Sequence, residues 1–118
     1  MTTLVIDVGS SSVRALLFDD DHQPIADAQA RRDHRFDADA TADADELRQH
    51  VEACIDEVLA HPDTANVEAV GMATFVGNLV GLDADRQPVT PVYTYADTRS
   101  HEDALQLARE LDLPAIHD

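Results

Sequence analysis

The first third of the chain alternates short apolar runs with clusters of turn residues, a pattern typical of a β-meander. Residues 4–8 are apolar except for Asp7 and rich in β-branched side chains, which predicts a buried strand, and the Gly and Ser residues of 9–12 predict a turn. A second strand is predicted over 13–19. The third, over 25–36, carries Asp and Arg side chains, which favours a position at the edge of the sheet.

The spacing of apolar residues then changes to that of a helix. Asp and Ala alternate over 37–45, interrupted by Thr41, and predict a solvated loop; Asp43 and Glu46 have the spacing of a helix N-terminal capping box. Pro62 marks the predicted exit. The apolar residues between them share one helical face: Leu47, Val51, Ile55, Val58 and Leu59.

The remainder alternates between extended and helical patterns. Residues 67–75 predict a strand with Val70 and Met72 on its core face, and 78–83 is a further strand candidate. After these come a turn over 84–88, an extended segment over 92–95, and a helix capped by Ser100 that runs to about Leu111 before Pro114. The predicted class is α/β, with an antiparallel β-meander followed by helix–strand units.

The charge is strongly acidic. The chain holds 24 acidic against 8 basic residues, all of them arginine, and its formal net charge is −16. A nucleic-acid partner is not expected, because no basic stripe is present to displace counterions. Self-repulsion on this scale is relieved by salt. The composition therefore suggests a cytoplasmic protein adapted to high internal salt.

Cysteine and hydropathy patterns agree with a soluble intracellular protein. Cys54 is the single cysteine, so no internal disulfide can form. The first residues lack a positive region, and no apolar run approaches the roughly 20 residues that span a bilayer. His50 and Cys54 are four residues apart on the predicted helix and could share a metal, but without a third ligand a simple neighbour relation is favoured.

The turn between the first two strands carries the most informative polar cluster. Backbone N–H groups and hydroxyls in a Gly-Ser-Ser-Ser turn can surround an anion, and Gly9 lets the backbone approach a ligand closely. Asp7 is suited to hold Mg²⁺ that bridges to phosphate, and Arg14 can add a charged contact. An ordinary hairpin turn explains these six residues equally well. The candidate phosphate-binding set is Gly9, Ser10, Ser11, Ser12 and Arg14.

Two ordered segments resemble the FGGY family of carbohydrate kinases, closest to its gluconokinase and xylulokinase branches. Residues 4–19 are similar to the family's opening, in which Asp-x-Gly and a Thr/Ser triplet join two strands. Residues 70–99, with Leu-Val-Gly-Leu-Asp at 79–83 and Tyr-Thr-Tyr-Ala-Asp-Thr-Arg at 93–99, are similar to a second family stretch. The resemblance covers nearly the whole chain.

The resemblance implies ATP-dependent phosphorylation of a sugar or polyol hydroxyl, with Mg²⁺ and ATP, on part of a ribonuclease-H-like fold of the actin/hexokinase/sugar-kinase superfamily. Asp7 would belong to the Mg²⁺ site, and the serines and Arg14 would lie near the transferred phosphate. The sugar would contact 74–78, where the candidates are Thr74, Phe75 and Asn78.

The chain departs from the family at the sugar loop and in length. Val76 and Gly77 stand where the family carries Trp-His or Arg-Glu, and Tyr95 stands where Trp is usual. Residues 1–118 correspond to the first portion of the family's N-terminal domain, without its catalytic Asp or adenine site. We therefore assign no catalytic residue and expect no activity from this chain alone. A complementing chain or homo-oligomer is one expectation; a non-catalytic binding or interaction module is the alternative.

We predict that the chain gains stability as salt rises. Added KCl screens repulsion among the carboxylates, so the thermal midpoint (Tm) should rise steadily from low salt to molar KCl. Thermal melts followed by circular dichroism across a KCl series measure this. Equal Tm values at both ends of the series would contradict the high-salt hypothesis.

Overall fold

A four-stranded sheet with the spatial order β3-β2-β1-β5 forms the body of the computed structural model, which describes residues 1–111. A two-stranded sheet of β4 and β6 lies beside it. The elements are β1 Thr2–Val8, β2 Ser12–Phe18, β3 Pro24–Asp33, β4 Thr41–Ala42, α1 Ala44–Leu59, a 3₁₀ turn Pro62–Asn66, β5 Val67–Thr74, β6 Val92–Tyr93 and α2 His101–Glu110.

The predicted meander is confirmed. Strands β1, β2 and β3 pair antiparallel, and β3 lies at the edge, where its charged side chains can reach solvent. Alternation along β1 buries Leu4, Ile6 and Val8 on one face. Val13, Ala15 and Leu17 of β2 continue this core, and helix α1 covers it.

Helix α1 supplies that cover through its own apolar stripe. Cys54 and Val58 are buried against β2 and β3. Asp43 is the N-cap, as predicted: its Oδ1 accepts from the N–H groups of Asp45 and Glu46 at 2.8 and 3.0 Å. The side chain of Glu46 approaches Nε2 of His50 instead, at 3.9 Å.

Strand β5 pairs with β1 in parallel and forms the other edge. Register places Val70 beside Leu4 and Met72 beside Ile6, so both face the same side of the sheet as the core. Their predicted burial is nevertheless wrong, because they are 64% and 63% exposed. Helix α1 packs over β2 and β3, so this half of the face is left uncovered among the described residues.

The predicted strand at 78–83 is an irregular hairpin arm. Leu79 and Tyr93 exchange backbone hydrogen bonds of 3.0 and 2.8 Å, but no regular strand forms over 78–83. Its turn, 83–88, is built like the turn at 19–24. In each turn the first Asp accepts two backbone N–H bonds through Oδ1, and the fourth residue has a positive φ of 60° or 62°.

The second predicted helix is present, but its side chains are exposed throughout. Ser100 precedes it without making the predicted side-chain cap. Pro114, the predicted stop, lies outside the described residues. No helix in the described part of the chain is long and apolar enough to cross a membrane.

We predict that Asp43→Ala lowers the free energy of unfolding by about 1 kcal/mol, since two helix N–H groups lose their acceptor. Asp43→Asn removes the same charge but keeps a capping oxygen, and it should cost much less. Urea denaturation of the three proteins in molar KCl compares them. Equal losses for both variants would show that charge matters here and capping does not.

Candidate functional site

The carboxyl ends of β1 and β5 meet at one edge of the sheet, and both predicted site segments begin there. Val8 and Thr74 are register partners, and the N–H of Phe75 donates to the carbonyl O of Val8 at 2.8 Å. The turn at 9–12, here called the serine hairpin, therefore adjoins the 74–78 loop. Ligands of open α/β sheets typically bind at such an edge.

The serine hairpin is closed tightly on itself. The N–H of Gly9 donates to the carbonyl O of Ser12 at 2.9 Å. A Cβ at position 9 would lie 3.2 Å from that same oxygen, so a larger residue there would crowd the turn. No partner within residues 1–111 engages the N–H groups or hydroxyls of Ser10 and Ser11. These donors are available to an anion.

Asp7 and Arg14 lie opposite each other on β1 and β2 and form an ion pair. Arg14 Nη2 is 2.5 Å from Asp7 Oδ2, and both side chains are partly exposed. Asp7 Oδ1 has no hydrogen-bond partner in the described part of the chain. Mg²⁺ in phosphate sites commonly takes one or two carboxylates, with water and phosphate oxygens as its other ligands. The free oxygen of Asp7, next to the serine hairpin, fits that requirement.

His34 was not predicted, yet it contacts the serine hairpin directly. Its Nε2 lies 2.9 Å from the carbonyl O of Gly9, and its backbone N–H donates to the carbonyl O of Ser11 at 3.0 Å. The residue is 8% exposed. The sequence pattern could not identify His34, because its contact with the serine hairpin depends on the pairing of β3 with β2.

The 74–78 loop uses most of its own polar groups internally. Asn78 Nδ2 donates to the carbonyl O of Phe75 at 2.6 Å, and its Oδ1 accepts from the N–H of Tyr95 at 3.3 Å. Gly77 has φ 76°, and a Cβ there would lie 3.2 Å from Cβ of Tyr95. Val76 is 80% exposed. Within the loop, Asn78 and Gly77 therefore hold the backbone, and the side chains of Thr74 and Val76 are left at the surface.

Aromatic rings pack against the 74–78 loop. Phe75 and Tyr95 both contact Phe36, with ring centroids 5.8 and 6.2 Å apart. Phe36 in turn lies 6.1 Å from the ring of His34. The serine hairpin and the 74–78 loop thus share one packed cluster, which limits how far either can move independently.

Arg99 and Asp97 form a second ion pair near the loop. Arg99 donates to both carboxylate oxygens, with Nη2 2.6 Å from Oδ2 and Nε 3.0 Å from Oδ1. Hydrogen bonds from this guanidinium lower the pKa of Asp97 to about 2, so the pair stays charged through the neutral range. Arg99 also lies 5.9 Å from the ring centroid of Tyr93.

The alternative in which His50 and Cys54 share a metal, which the sequence disfavoured, gains no support. Cys54 is fully buried, with Sγ 3.7 Å from the carbonyl O of Val13, and burial raises the pKa of its thiol. A raised thiol pKa disfavours the thiolate that metals require. Residues 1–111 contain no cluster of three or more His, Cys, Asp or Glu side chains that could hold a metal ion.

Known proteins resemble this chain in fold. A xylulose kinase from Rhodospirillum rubrum superposes with a TM-score of 0.88 at 19% identity, over 98% of this chain and 24% of its own. A glycerol kinase from Plasmodium falciparum, solved with ADP, gives 0.86 at 13% identity, over 98% and 24%. A xyloylose kinase from Brucella ovis gives 0.78 at 23% identity, over 93% and 24%. No curated protein matches the chain by sequence.

The chain therefore spans about a quarter of the length of these solved kinases. The sequence model of the N-terminal domain of the FGGY family of carbohydrate kinases matches residues 2–118. This match covers both predicted motifs and the two segments that meet at the sheet edge. On this evidence, the chain belongs to the FGGY family of carbohydrate kinases.

Proposed function

We propose that this chain supplies the phosphate- and metal-binding corner of an ATP-dependent carbohydrate kinase. The reaction is transfer of the γ-phosphate of ATP to a hydroxyl of a sugar, sugar acid or polyol of the gluconate or xylulose kind. The observation that carries the proposal is the parallel pairing of β1 with β5, which sets the serine hairpin beside the 74–78 loop. Residues 1–118 then form the first portion of the enzyme's N-terminal domain.

In this proposal the serine hairpin binds phosphate through its free donors. The N–H groups and hydroxyls of Ser10 and Ser11 point to no internal partner within residues 1–111, so binding an anion breaks no existing bond. Gly9 and Ser12 keep the turn closed through the hydrogen bond from the Gly9 N–H to the Ser12 carbonyl O. Positioning and electrostatic stabilisation of this kind dominate phosphoryl transfer.

Asp7 and Arg14 provide complementary charges next to those donors. Mg²⁺ held by Asp7 would neutralise charge on the phosphate oxygens. The ion pair with Arg14 keeps the Asp7 carboxylate oriented before ligand binds. Arg14 is 46% exposed at its side chain, so its remaining N–H donors are open to a phosphate oxygen.

The sugar would lie against the 74–78 loop. Thr74 offers a surface hydroxyl, Phe75 an apolar ring edge, and Asn78 a fixed loop geometry with its amide already hydrogen-bonded. Val76 and Gly77 can hydrogen-bond a sugar through their backbone groups only. Specific sugar recognition in this proposal therefore depends on polar groups from other segments as well.

The internal bonds of Asn78 and the exposed Val76 favour a second candidate, a non-catalytic binding or interaction module that keeps the fold. Such a module would retain the serine hairpin without sugar phosphorylation. Binding of nucleotide at the hairpin, together with sugar binding at the loop, distinguishes the kinase from this module.

We also propose that the protein works in a cytoplasm of high salt. The support for this proposal is the net charge of −16, which results from 24 acidic residues against 8 basic ones, all of them arginine. Sugar and ATP are the small-molecule partners in this setting. Neither nucleic acid nor membrane is expected as a partner, since 24 acidic residues outnumber the 8 basic ones in the sequence.

The uncovered half of the sheet supports a protein partner. Val70 and Met72 extend the core face beyond α1, and β5 leaves one edge unpaired within the described residues. An apolar face and free strand edge of this kind favour association. We propose that a complementing chain, or a second copy of this one, covers them.

We predict that Mg²⁺ and ATP perturb the amide NMR signals of the serine hairpin first. Asp7→Asn should weaken the Mg²⁺-dependent part of ATP binding roughly tenfold, as expected for loss of a charged contact. Asp56→Asn, on the exposed face of α1, removes the same charge far from the site and should bind like the wild type. Equal affinities for all three, or perturbations centred elsewhere, would contradict the proposal.

The same samples test turnover. We expect no transfer to gluconate, xylulose or glycerol by the 118-residue chain, because the family resemblance places the catalytic Asp and the adenine site in other segments. An ATP-coupled assay above background would overturn this expectation.

We predict concentration-dependent self-association through the uncovered face. Replacing Val70 and Met72 by Thr keeps strand propensity while removing apolar area, so the double variant should shift toward monomer. Val89→Thr is the control, because Val89 is equally exposed at 63% but lies outside β5. Sedimentation velocity over a concentration series in molar KCl measures the change. A wild-type chain that stays monomeric throughout would leave the complementing chain as the occupant.

A further inference from the structure

His34 makes two hydrogen bonds to the backbone of the serine hairpin, one on each side of Ser10. Its ring Nε2 reaches the carbonyl O of Gly9 at 2.9 Å, and its main-chain N–H reaches the carbonyl O of Ser11 at 3.0 Å. The two acceptors lie on either side of Ser10. No other residue in the described part of the chain makes a side-chain hydrogen bond to the hairpin's backbone.

The partner of the ring decides its tautomer. A carbonyl oxygen can only accept, so Nε2 must carry the proton. Nδ1 is buried and has no hydrogen-bond partner within residues 1–111. In the neutral ring Nδ1 is then a bare acceptor, which avoids burying an unpaired N–H.

Because the Gly9–Ser10 peptide is planar, the contact of His34 with the Gly9 C=O also fixes the direction of the Ser10 N–H. The chain has no cis peptide among the described bonds, so the Gly9 C=O and the Ser10 N–H point in opposite directions. His34 lies on the α1 side, with its ring 6.4 Å from the ring of His50. A Gly9 carbonyl directed at His34 therefore directs the Ser10 N–H away from α1. Asp7 alternates with the α1-facing residues of β1 and faces that same outer side.

Packing keeps the ring in this position. His34 is 8% exposed and lies against the rings of Phe36 and His50. A ring confined in this way cannot leave the Gly9 carbonyl without opening the cluster. The Gly9–Ser10 peptide is thus held by a buried neighbour before any ligand arrives, which lowers the ordering cost of binding.

We propose that His34 is a positioning residue for phosphate binding: its Nε2–H orients the Gly9–Ser10 peptide so that the Ser10 N–H faces the bound phosphate. This proposal rests on the phosphate-binding role given to the serine hairpin above. His34 acts through Gly9 and does not touch the ligand.

Measurements without ligand test the orientation itself, using the full 118-residue chain in molar KCl. Side-chain ¹⁵N NMR should show His34 as the Nε2–H tautomer. His34→Phe keeps a ring but removes the donor, so the Ser10 amide should shift and gain fast backbone motion. His34→Gln retains an N–H at the ε position and should restore the wild-type Ser10 signal. His50→Phe, at the neighbouring ring, is the control and should leave Ser10 unchanged.

Titration with inorganic phosphate and with Mg·ADP adds the functional readout. His34→Phe should bind about fivefold more weakly than the wild type, as expected for one net hydrogen bond, and His34→Gln should recover most of the loss. His34→Asn, whose amide is too short to reach Gly9, replaces the Phe variant if that variant does not fold.

The outcomes separate the two proposals. A His34 ring in the Nδ1–H tautomer, or a Ser10 amide that is indifferent to loss of the donor, would overturn the positioning role. The same holds if the wild type binds phosphate and the donor-less variants bind equally well. If His34 shows the expected tautomer and control over Ser10 but no protein binds phosphate or Mg·ADP, the positioning of the peptide stands and the proposed phosphate site fails.

Discussion

Parallel pairing between β1 and β5 is the constraint on which the rest of this structure depends. A parallel partner brings the carboxyl ends of two strands to one edge, whereas a hairpin partner would separate them. The hydrogen bond from the Phe75 N–H to the Val8 carbonyl closes this edge. As a result, two segments more than sixty positions apart in the chain become adjacent, and the serine hairpin gains the 74–78 loop as its neighbour.

The same pairing divides the sheet into a covered and an uncovered half. Helix α1 follows β4 and packs across β2 and β3, where Val13, Leu17, Cys54 and Val58 are almost fully buried. Helix α1 does not extend over strand β5. The exposed Val70 is therefore a consequence of layer geometry: one helix is too narrow to cover four strands.

Local patterns predicted the individual elements well, because each depends on nearby residues. The meander, the edge position of β3 and the Asp43 cap all follow from alternation, turn chemistry and capping spacing. The prediction failed where burial or strand pairing depends on a distant segment of the chain. Alternation placed Met72 on the correct face but could not show whether another layer covers it. The arm at 78–83 likewise depends on pairing with 87–93.

For the candidate site, the sequence alone determined which residue types are available: an Asp at the end of a strand, a glycine, three serines and an Arg two positions into the next strand. Their order is a local property, and by itself it fits a phosphate-binding turn and an ordinary hairpin turn equally well. Only the tertiary structure decided that Arg14 is paired with Asp7, that Asn78 is occupied within its loop, and that His34 holds the Gly9 carbonyl. The reason is physical, since a side chain's hydrogen bonds depend on which strand becomes its neighbour.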